Sequence, residues 1–214
     1  MGEIIKVNLS ELDENTIIKA SKVIILGGIV IMPTDTIYGF HASPFCMEAV
    51  IRITKLKRMT QQKPFILLIP SPKILKWLGI ELRKWQFEFL TKIWPGPVSV
   101  IMKSLCGYPM PVSEDGWICF RVADNILIDR LLKRTGLSII STSANITGLE
   151  SSTEPHALID EFLNDVELIL DGGDLPDNLP STIVKLTEDD FSMVREGRIS
   201  EEKLREILAG VKLK

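Results

Sequence analysis

Ile29-Val30-Ile31-Met32-Pro33-Thr34-Asp35-Thr36-Ile37-Tyr38-Gly39-Phe40-His41 is the stretch that decides the fold. An unbroken apolar run passes into a polar segment holding two threonine hydroxyls, a carboxylate, a tyrosine and a glycine. Short apolar runs of this kind suit strands buried on both faces, and the polar ends of such strands are where α/β sheets bind small molecules. The same residues also fit a Pro-initiated turn in which Thr and Asp satisfy local backbone groups. The rest of the chain decides between the two readings.

Outward from this stretch, apolar runs and turn formers alternate. Residues 4–7 predict a short strand, and Asn15 is placed to cap a helix over 15–26 that Gly27-Gly28 terminates. Residues 29–32 predict a buried strand opening into a loop over 33–39. Val50, Ile51, Ile53 and Leu56 give a helix over 47–57 one apolar face. Residues 65–69 form a second unbroken apolar strand. Helices over 71–78 and 83–93 follow, the second broken by Trp94-Pro95-Gly96-Pro97. Strands over 98–102 and 117–122, a helix over 125–134 and a short strand over 138–141 lead to a polar loop over 142–148. Beyond it lie a helix over 155–163, a strand over 167–170, strands over 181–186 and 191–195, and a helix over 200–208 capped by Ser200. Strands alternating with helices predict an α/β fold, and the Pro-Gly breaks predict a mixed sheet. Without a repeat or linker, residues 1–214 are expected to form one domain.

The composition, 45% hydrophobic and 25% charged, is that of an ordinary soluble globular protein. The longest apolar stretch, 23–32, is roughly half of what a membrane span needs. The N-terminal residues carry neither a basic n-region nor a cleavage site, so a cytoplasmic protein without membrane association is expected. Cys46, Cys106 and Cys119 form no CxxC pair and suit reduced thiols rather than a disulfide frame or zinc site. His41 and His156 are too few for a His-rich metal site.

Charge is distributed unevenly. Residues 49–103 hold eleven Lys or Arg against Glu81 and Glu88, whereas residues 150–190 hold twelve acids against Lys185. The first segment suits a polyanionic ligand such as nucleotide phosphates or an RNA backbone, or a solvated helix face.

Five polar islands carry the candidate chemistry. The first is 33–39. The second, 52–64, holds Arg52, Lys55, Lys57, Arg58 and Lys63 with no acid; cations converging before a buried strand can clamp a triphosphate, and Lys57 and Arg58 also suit a helix C-terminus. The third, Ser141-Thr142-Ser143-Ala144-Asn145-Ile146-Thr147-Gly148, offers hydroxyls and backbone N–H groups to a phosphate or carboxylate. The fourth is Ser181-Thr182-Ile183-Val184, preceded by Asp171-Gly172-Gly173, and the fifth is Arg195-Glu196-Gly197. Arg121, near a strand end, can hold a carboxylate in bidentate fashion, although a surface ion pair is the commoner role for either arginine. There is no Walker A loop, no GxGxxG and no GxSxG elbow. Cations and hydroxyls without an obvious nucleophile point to catalysis by positioning and charge neutralisation.

Taken in order, these pieces closely resemble the YrdC/TsaC family, the threonylcarbamoyl-AMP synthases. The matching segments are Pro33-Thr34-Asp35-Thr36-Ile37-Tyr38-Gly39, Lys57-Arg58 with Lys63-Pro64, Trp94-Pro95-Gly96-Pro97, Ser141-Thr142-Ser143-Ala144-Asn145, Asp171-Gly172-Gly173, Ser181-Thr182-Ile183-Val184 and Arg195-Glu196-Gly197. The resemblance implies a YrdC-like twisted mixed sheet flanked by helices, with a concave basic face. It implies a nucleotidyltransferase that makes threonylcarbamoyl-AMP and pyrophosphate from L-threonine, bicarbonate and ATP, for t6A modification at position 37 of tRNA. By the family pattern Thr34, Arg121, Ser141 and Ser181 would face threonine. Lys57, Arg58, Ser143, Asn145, Ser151 and Arg195 would face ATP, with Lys57 and Arg58 neutralising the pyrophosphate leaving group. Mg²⁺ would accompany ATP without a tightly bound, protein-ligated metal. Partners would be tRNA and downstream transfer proteins of the TsaD, TsaB and TsaE type.

Three departures stand out: Met59 where family members often carry arginine, Val122-Ala123 after Arg121, and Glu196 where proline is frequent. The alternative classes are a non-catalytic RNA-binding relative of the YciO type and a carbamoyl-adenylate enzyme akin to part of a hydrogenase maturation protein. The sparse aromatics, with Tyr38 and Tyr108 as the two tyrosines, weigh against an RNA-stacking surface.

Overall fold

A computed structural model describes residues 2–59, 64–105, 112–177 and 179–212; Lys63, Cys106 and Tyr108 lie outside them. The chain runs β1 (Glu3–Lys6), α1 (Glu14–Ile25), β2 (Val30–Pro33), β3 (Tyr38–Ala42), α2 (Met47–Leu56), β4 (Ile66–Leu68), a 3-10 turn (Pro72–Lys76) and α3 (Lys84–Ile93). It continues with β5 (Val98–Lys103), β6 (Ser113–Glu114), β7 (Trp117–Arg121), α4 (Ile126–Thr135), β8 (Ile139–Ser143), α5 (Pro155–Phe162), β9 (Leu168–Asp171), β10 (Thr182–Leu186), β11 (Phe191–Arg195) and α6 (Glu201–Lys212).

Among the described residues the strands form one mixed sheet in the order β1-β9-β2-β3-β8-β4-β7-β5-β10-β11, with β6 added to β7. The expected mixed α/β architecture is present. Parallel pairs (β1·β9, β9·β2, β4·β7, β5·β10) interleave with antiparallel ones (β2·β3, β3·β8, β8·β4, β7·β5, β10·β11).

The two faces of the sheet are covered unequally. Phe40, Leu67, Phe120, Ile140 and Val184 pack with α2, α3, α5 and α6 in the larger core cluster. Val30, Met32, Leu68 and Ile139 pack with α1 and α4 in a smaller one. Residues paired directly across strands point to one face. The row Val30–His41–Ser141–Ile66–Cys119–Ile101 therefore lies on the α1/α4 side. Val30 is under helix, but Ser141, Ile66, Cys119 and Ile101 line an open cavity.

Local signals differ from the sequence expectations at four places. The helix α1 is capped by Asp13, whose carboxylate accepts from the Thr16 N–H at 3.1 Å, and Asn15 falls inside the first turn. The segment 71–78 forms only a 3-10 turn, because Pro72 starts it and Gly79, at φ 68°, ends it within two turns. Tyr38 and Gly39 belong to β3, so the opening loop is the four-residue hairpin connection 34–37. Thr142 and Ser143 extend β8, paired with Phe40 and Gly39, rather than starting a loop. Ser200 does cap α6, accepting from the Lys203 N–H at 3.3 Å.

Candidate active site

A cavity of about 690 Å³ opens on the uncovered part of the sheet. It brings together Thr34, Lys57, Arg121, Ser141, Ser143, Asn145, Ser151, Ser181 and Arg195. Of the sequence-nominated residues Arg58 alone is not brought in. It is exposed at φ 48°, just past the end of α2, and Met59 lines the cavity instead. Apart from Lys57, the other described bases of the 49–103 segment do not line it either; Arg52, for example, pairs with Glu167 at 2.9 Å.

Thr34 closes the β2–β3 turn. Its Oγ1 accepts from the N–H groups of Thr36 and Ile37 at 3.0 and 3.2 Å and donates to the Ile37 carbonyl at 2.8 Å. The turn projects Thr36 and Asp35 onto Arg121. The guanidinium bonds Asp35 Oδ1 at 2.6 Å, Thr36 Oγ1 at 3.1 Å and the Gly96 carbonyl at 3.1 Å. The Trp94-Pro95-Gly96-Pro97 break thus delivers a carbonyl to the arginine. Arg121 is 4% exposed, so its ion pair is buried and not the surface pair expected of an isolated arginine. A guanidinium clamped on three sides is held rigid, with its charge offset by Asp35.

Lys57 follows the last turn of α2, and its ammonium reaches across to the end of β8. It donates to the carbonyls of Ser143 and Asn145 at 2.6 and 3.1 Å, to Ser143 Oγ at 3.2 Å and to Asn145 Oδ1 at 3.0 Å. Its own carbonyl accepts from the Thr147 N–H at 2.8 Å. Burial pulls its pKa down to about 8, which still leaves it charged at neutral pH. Asn145 in turn donates to the Leu149 carbonyl. Lys57 and Asn145 therefore shape the loop over 143–149.

The far wall comes from β10 and β11. Arg195 Nη2 donates to the Ser181 carbonyl at 2.7 Å, and desolvation lowers the guanidinium pKa. Ser181 Oγ pairs with Ser99 Oγ at 2.9 Å. Gly197 permits this closeness: a Cβ there would stand 2.3 Å from the Pro180 carbonyl oxygen. At the opposite side the Tyr38 hydroxyl accepts from the Gly172 N–H at 3.0 Å and donates to the Gly173 carbonyl at 2.8 Å, and burial raises its pKa to about 12. The first and fourth islands are tied by this one phenol.

Residues outside the nominated set, one of them inside the first island, also reach the site. Thr36 and Cys119 line it, and Ser99 braces Ser181. Cys119 is buried and its pKa is raised to about 12 by desolvation, so it is an unreactive thiol. The signal was present: in Val98-Ser99-Val100 and Cys119-Phe120-Arg121 the odd positions share one face, which a strand alternation assigns to the cavity. No group of three His, Cys, Asp or Glu among the described residues could hold a metal ion. No helix there is long and apolar enough to cross a membrane.

Comparison with known proteins bears on the family and the fold. The family model Sua5/YciO/YrdC, described as "Telomere recombination", matches residues 22–197. A protein of Methanocaldococcus jannaschii named putative threonylcarbamoyl-AMP synthase is 32% identical over 211 residues, spanning 95% of this chain and 97% of the relative. The crystal structure of Pyrococcus abyssi Sua5 complexed with L-threonine superposes with a TM-score of 0.88 at 28% identity, covering 96% of this chain but 60% of the Sua5 chain. YciO of E. coli superposes with a TM-score of 0.87 at 25% identity over 95% of this chain and all of its own. The chain belongs to the Sua5/YciO/YrdC family.

Proposed function

We propose that the chain is an L-threonylcarbamoyladenylate synthase, joining L-threonine, bicarbonate and ATP into threonylcarbamoyl-AMP with release of pyrophosphate. The observation that carries this reading is the convergence of nine residues from separate sequence islands on one cavity, in a chain nearly coextensive with a relative of that name. The Sua5 structure holding L-threonine supports an amino-acid subsite in the same fold.

In this reading the neutral amine of threonine adds to the carbon of bicarbonate and a C–O bond breaks with loss of water, giving a carbamate. A carbamate oxygen then attacks the α-phosphorus of ATP as the bond to the β-phosphate oxygen breaks, and pyrophosphate leaves. The amino acid lies near Arg121, Ser141 and Ser181, and the nucleotide lies toward Ser143, Ser151 and Arg195. Arg195 is tied through Nη2 alone among the described residues, which leaves its remaining N–H groups for phosphate oxygens. Lys57 supplies fixed charge while holding the Ser143–Asn145 backbone in place. Among the described residues the lining offers hydroxyls and one acid, Glu150, and Mg²⁺ would enter with the substrate as MgATP. The product would serve tRNA t6A modification in the cytoplasm through transfer proteins of the TsaD, TsaB and TsaE type.

The test is direct. Purified protein with ATP, Mg²⁺, bicarbonate and L-threonine should yield threonylcarbamoyl-AMP and pyrophosphate by mass spectrometry. A folded protein that yields neither, and binds tRNA in a salt-sensitive manner untouched by ATP, refutes the synthase in favour of a binding protein.

A further inference from the structure

Ser99 does not itself line the cavity, yet it bears on a residue that does. It is fully buried on β5, and its Oγ stands 2.9 Å from the Oγ of Ser181, a lining residue that is 2% exposed. The parallel pairing of β5 with β10 sets Ser99 opposite Ile183. Ser181, two residues before Ile183, lies toward the same face of the sheet. Arg195 pairs with Ile183 from the other side. Its Nη2 donates to the Ser181 carbonyl at 2.7 Å and stands 3.4 Å from Ser181 Oγ.

The two hydroxyls share one hydrogen bond, and the count of donors and acceptors gives its direction. Among the described residues Ser181 Oγ is the only hydrogen-bond partner of Ser99 Oγ. Were Ser181 the donor, the Ser99 proton would be buried without an acceptor, which is costly. With Ser99 as the donor nothing in the interior is orphaned. Ser181 Oγ then accepts from Ser99 and faces the Arg195 N–H, and its own proton is left for the cavity. The groups around that proton are donors as well. Arg195 keeps N–H groups that no described residue accepts, and burial lowers its pKa with the Arg121 charge adding to the bias. A hydroxyl proton beside guanidinium groups, with no acceptor among the described residues, suits an anionic oxygen.

We infer that Ser99 is a positioning residue: its O–H donates to Ser181 Oγ, which turns the Ser181 O–H into the cavity as a donor to an anionic oxygen of the ligand. Two sources share that chemistry, a carboxylate of the amino acid and a phosphate oxygen of the nucleotide. Their identity as threonine and ATP rests on the proposed function; the direction of the hydrogen bond does not.

A neutron structure of the perdeuterated protein reads the direction. The Ser99 deuteron should lie on the line to Ser181 Oγ, and the Ser181 deuteron should point into the cavity. A Ser181 deuteron on the line to Ser99 Oγ overturns the inference whatever the protein binds. Calorimetric titration of L-threonine and of MgATP supplies the second readout. Ser99→Ala, which leaves the Ser181 hydroxyl free to rotate, should weaken at least one of the two by about three- to tenfold. The ligand affected is the one whose oxygen meets Ser181. In a Ser181→Ala background the same substitution should change neither affinity, because the coupling runs through one hydrogen bond. A further loss in that background marks a general disturbance of the strand and overturns the inference, as does unchanged binding of both ligands by a folded Ser99→Ala protein. Ser99→Thr, which keeps the hydroxyl, should retain the affinity; a loss equal to that of Ser99→Ala counts against the hydroxyl and overturns it too. Binding of neither ligand by the wild type refutes the proposed function instead, and the neutron map then decides the Ser99–Ser181 bond alone.

Discussion

Replacing Lys57 by methionine keeps the volume of the side chain and removes the ammonium from four oxygens at the end of β8. Each charge-assisted contact is worth about 1.5–3 kcal/mol, but the native state already bears the desolvation of that charge. A pKa of about 8 against an ordinary 10.5 corresponds to a penalty of about 3 kcal/mol. The net loss at pH 7 should therefore be modest, about 1–3 kcal/mol, or a fall in Tm of about 2–12 °C for a chain of this size. The pH dependence is more diagnostic. Below pH 8 both folded and unfolded chains hold the Lys57 proton, and the burial penalty is fully present. Between about 8 and 10.5 the folded state releases the proton while the unfolded state keeps it. The unfolded state then binds more protons, so stability rises with pH. Wild type should gain up to about 3 kcal/mol on Lys57→Met across that window, because the variant lacks this titration. Urea unfolding at pH 7, 8, 9 and 10 measures the difference directly. Parallel stability profiles for the two proteins would refute the burial argument, and unchanged pyrophosphate release by the variant would refute the placement of Lys57 at the reacting phosphates.

Three further outcomes follow from named contacts. Asp35→Ala leaves the buried Arg121 guanidinium without its counter-charge and should cost about 3–5 kcal/mol in chemical denaturation; a loss below about 1 kcal/mol would mean that water reaches the pair. Tyr38→Phe removes the bonds to Gly172 and Gly173 and should cost about 1–3 kcal/mol, with faster amide exchange at Gly172 as the local readout. Met59→Arg adds a cation to the cavity wall, whereas Arg58→Ala removes one that points elsewhere. By calorimetry the first should tighten MgATP binding about tenfold and the second should leave it within about twofold; the reverse ranking would put the phosphates nearer the surface of α2.

The β-α rhythm was legible because apolar runs such as Ile29-Val30-Ile31 and Phe65-Ile66-Leu67-Leu68-Ile69 are bounded by Gly, Pro and polar clusters. The site was legible as a set of islands, since hydroxyls and cations at strand ends stand out against those runs. What escaped was the meaning of alternation inside polar-looking segments. Tyr38-Gly39 reads as the end of a loop because glycine carries little strand propensity, yet its pairing with β2 and β8 fixes it in a central strand. Arg58 illustrates a second limit. Whether a base past a helix end points into a cleft or away from it depends on one backbone rotation, here the left-handed φ of 48°, and adjacent residues share the same composition signal. The buried Asp35–Arg121 pair is a third case, because eighty-six residues separate its partners and only the sheet order brings them together.

The unequal covering of the sheet has a consequence for how such a protein can change. On the cavity side, alternate positions of β3, β8, β7 and β5 face solvent or ligand, while their immediate neighbours Phe40, Ile140, Phe120 and Val100 hold the opposite core. Side chains on the floor can therefore be exchanged without repacking the interior. The chain carries a ligand-facing alphabet and a folding alphabet written on the same strands, one letter apart. Selectivity can drift at 66, 101 and 119 while the scaffold stays fixed.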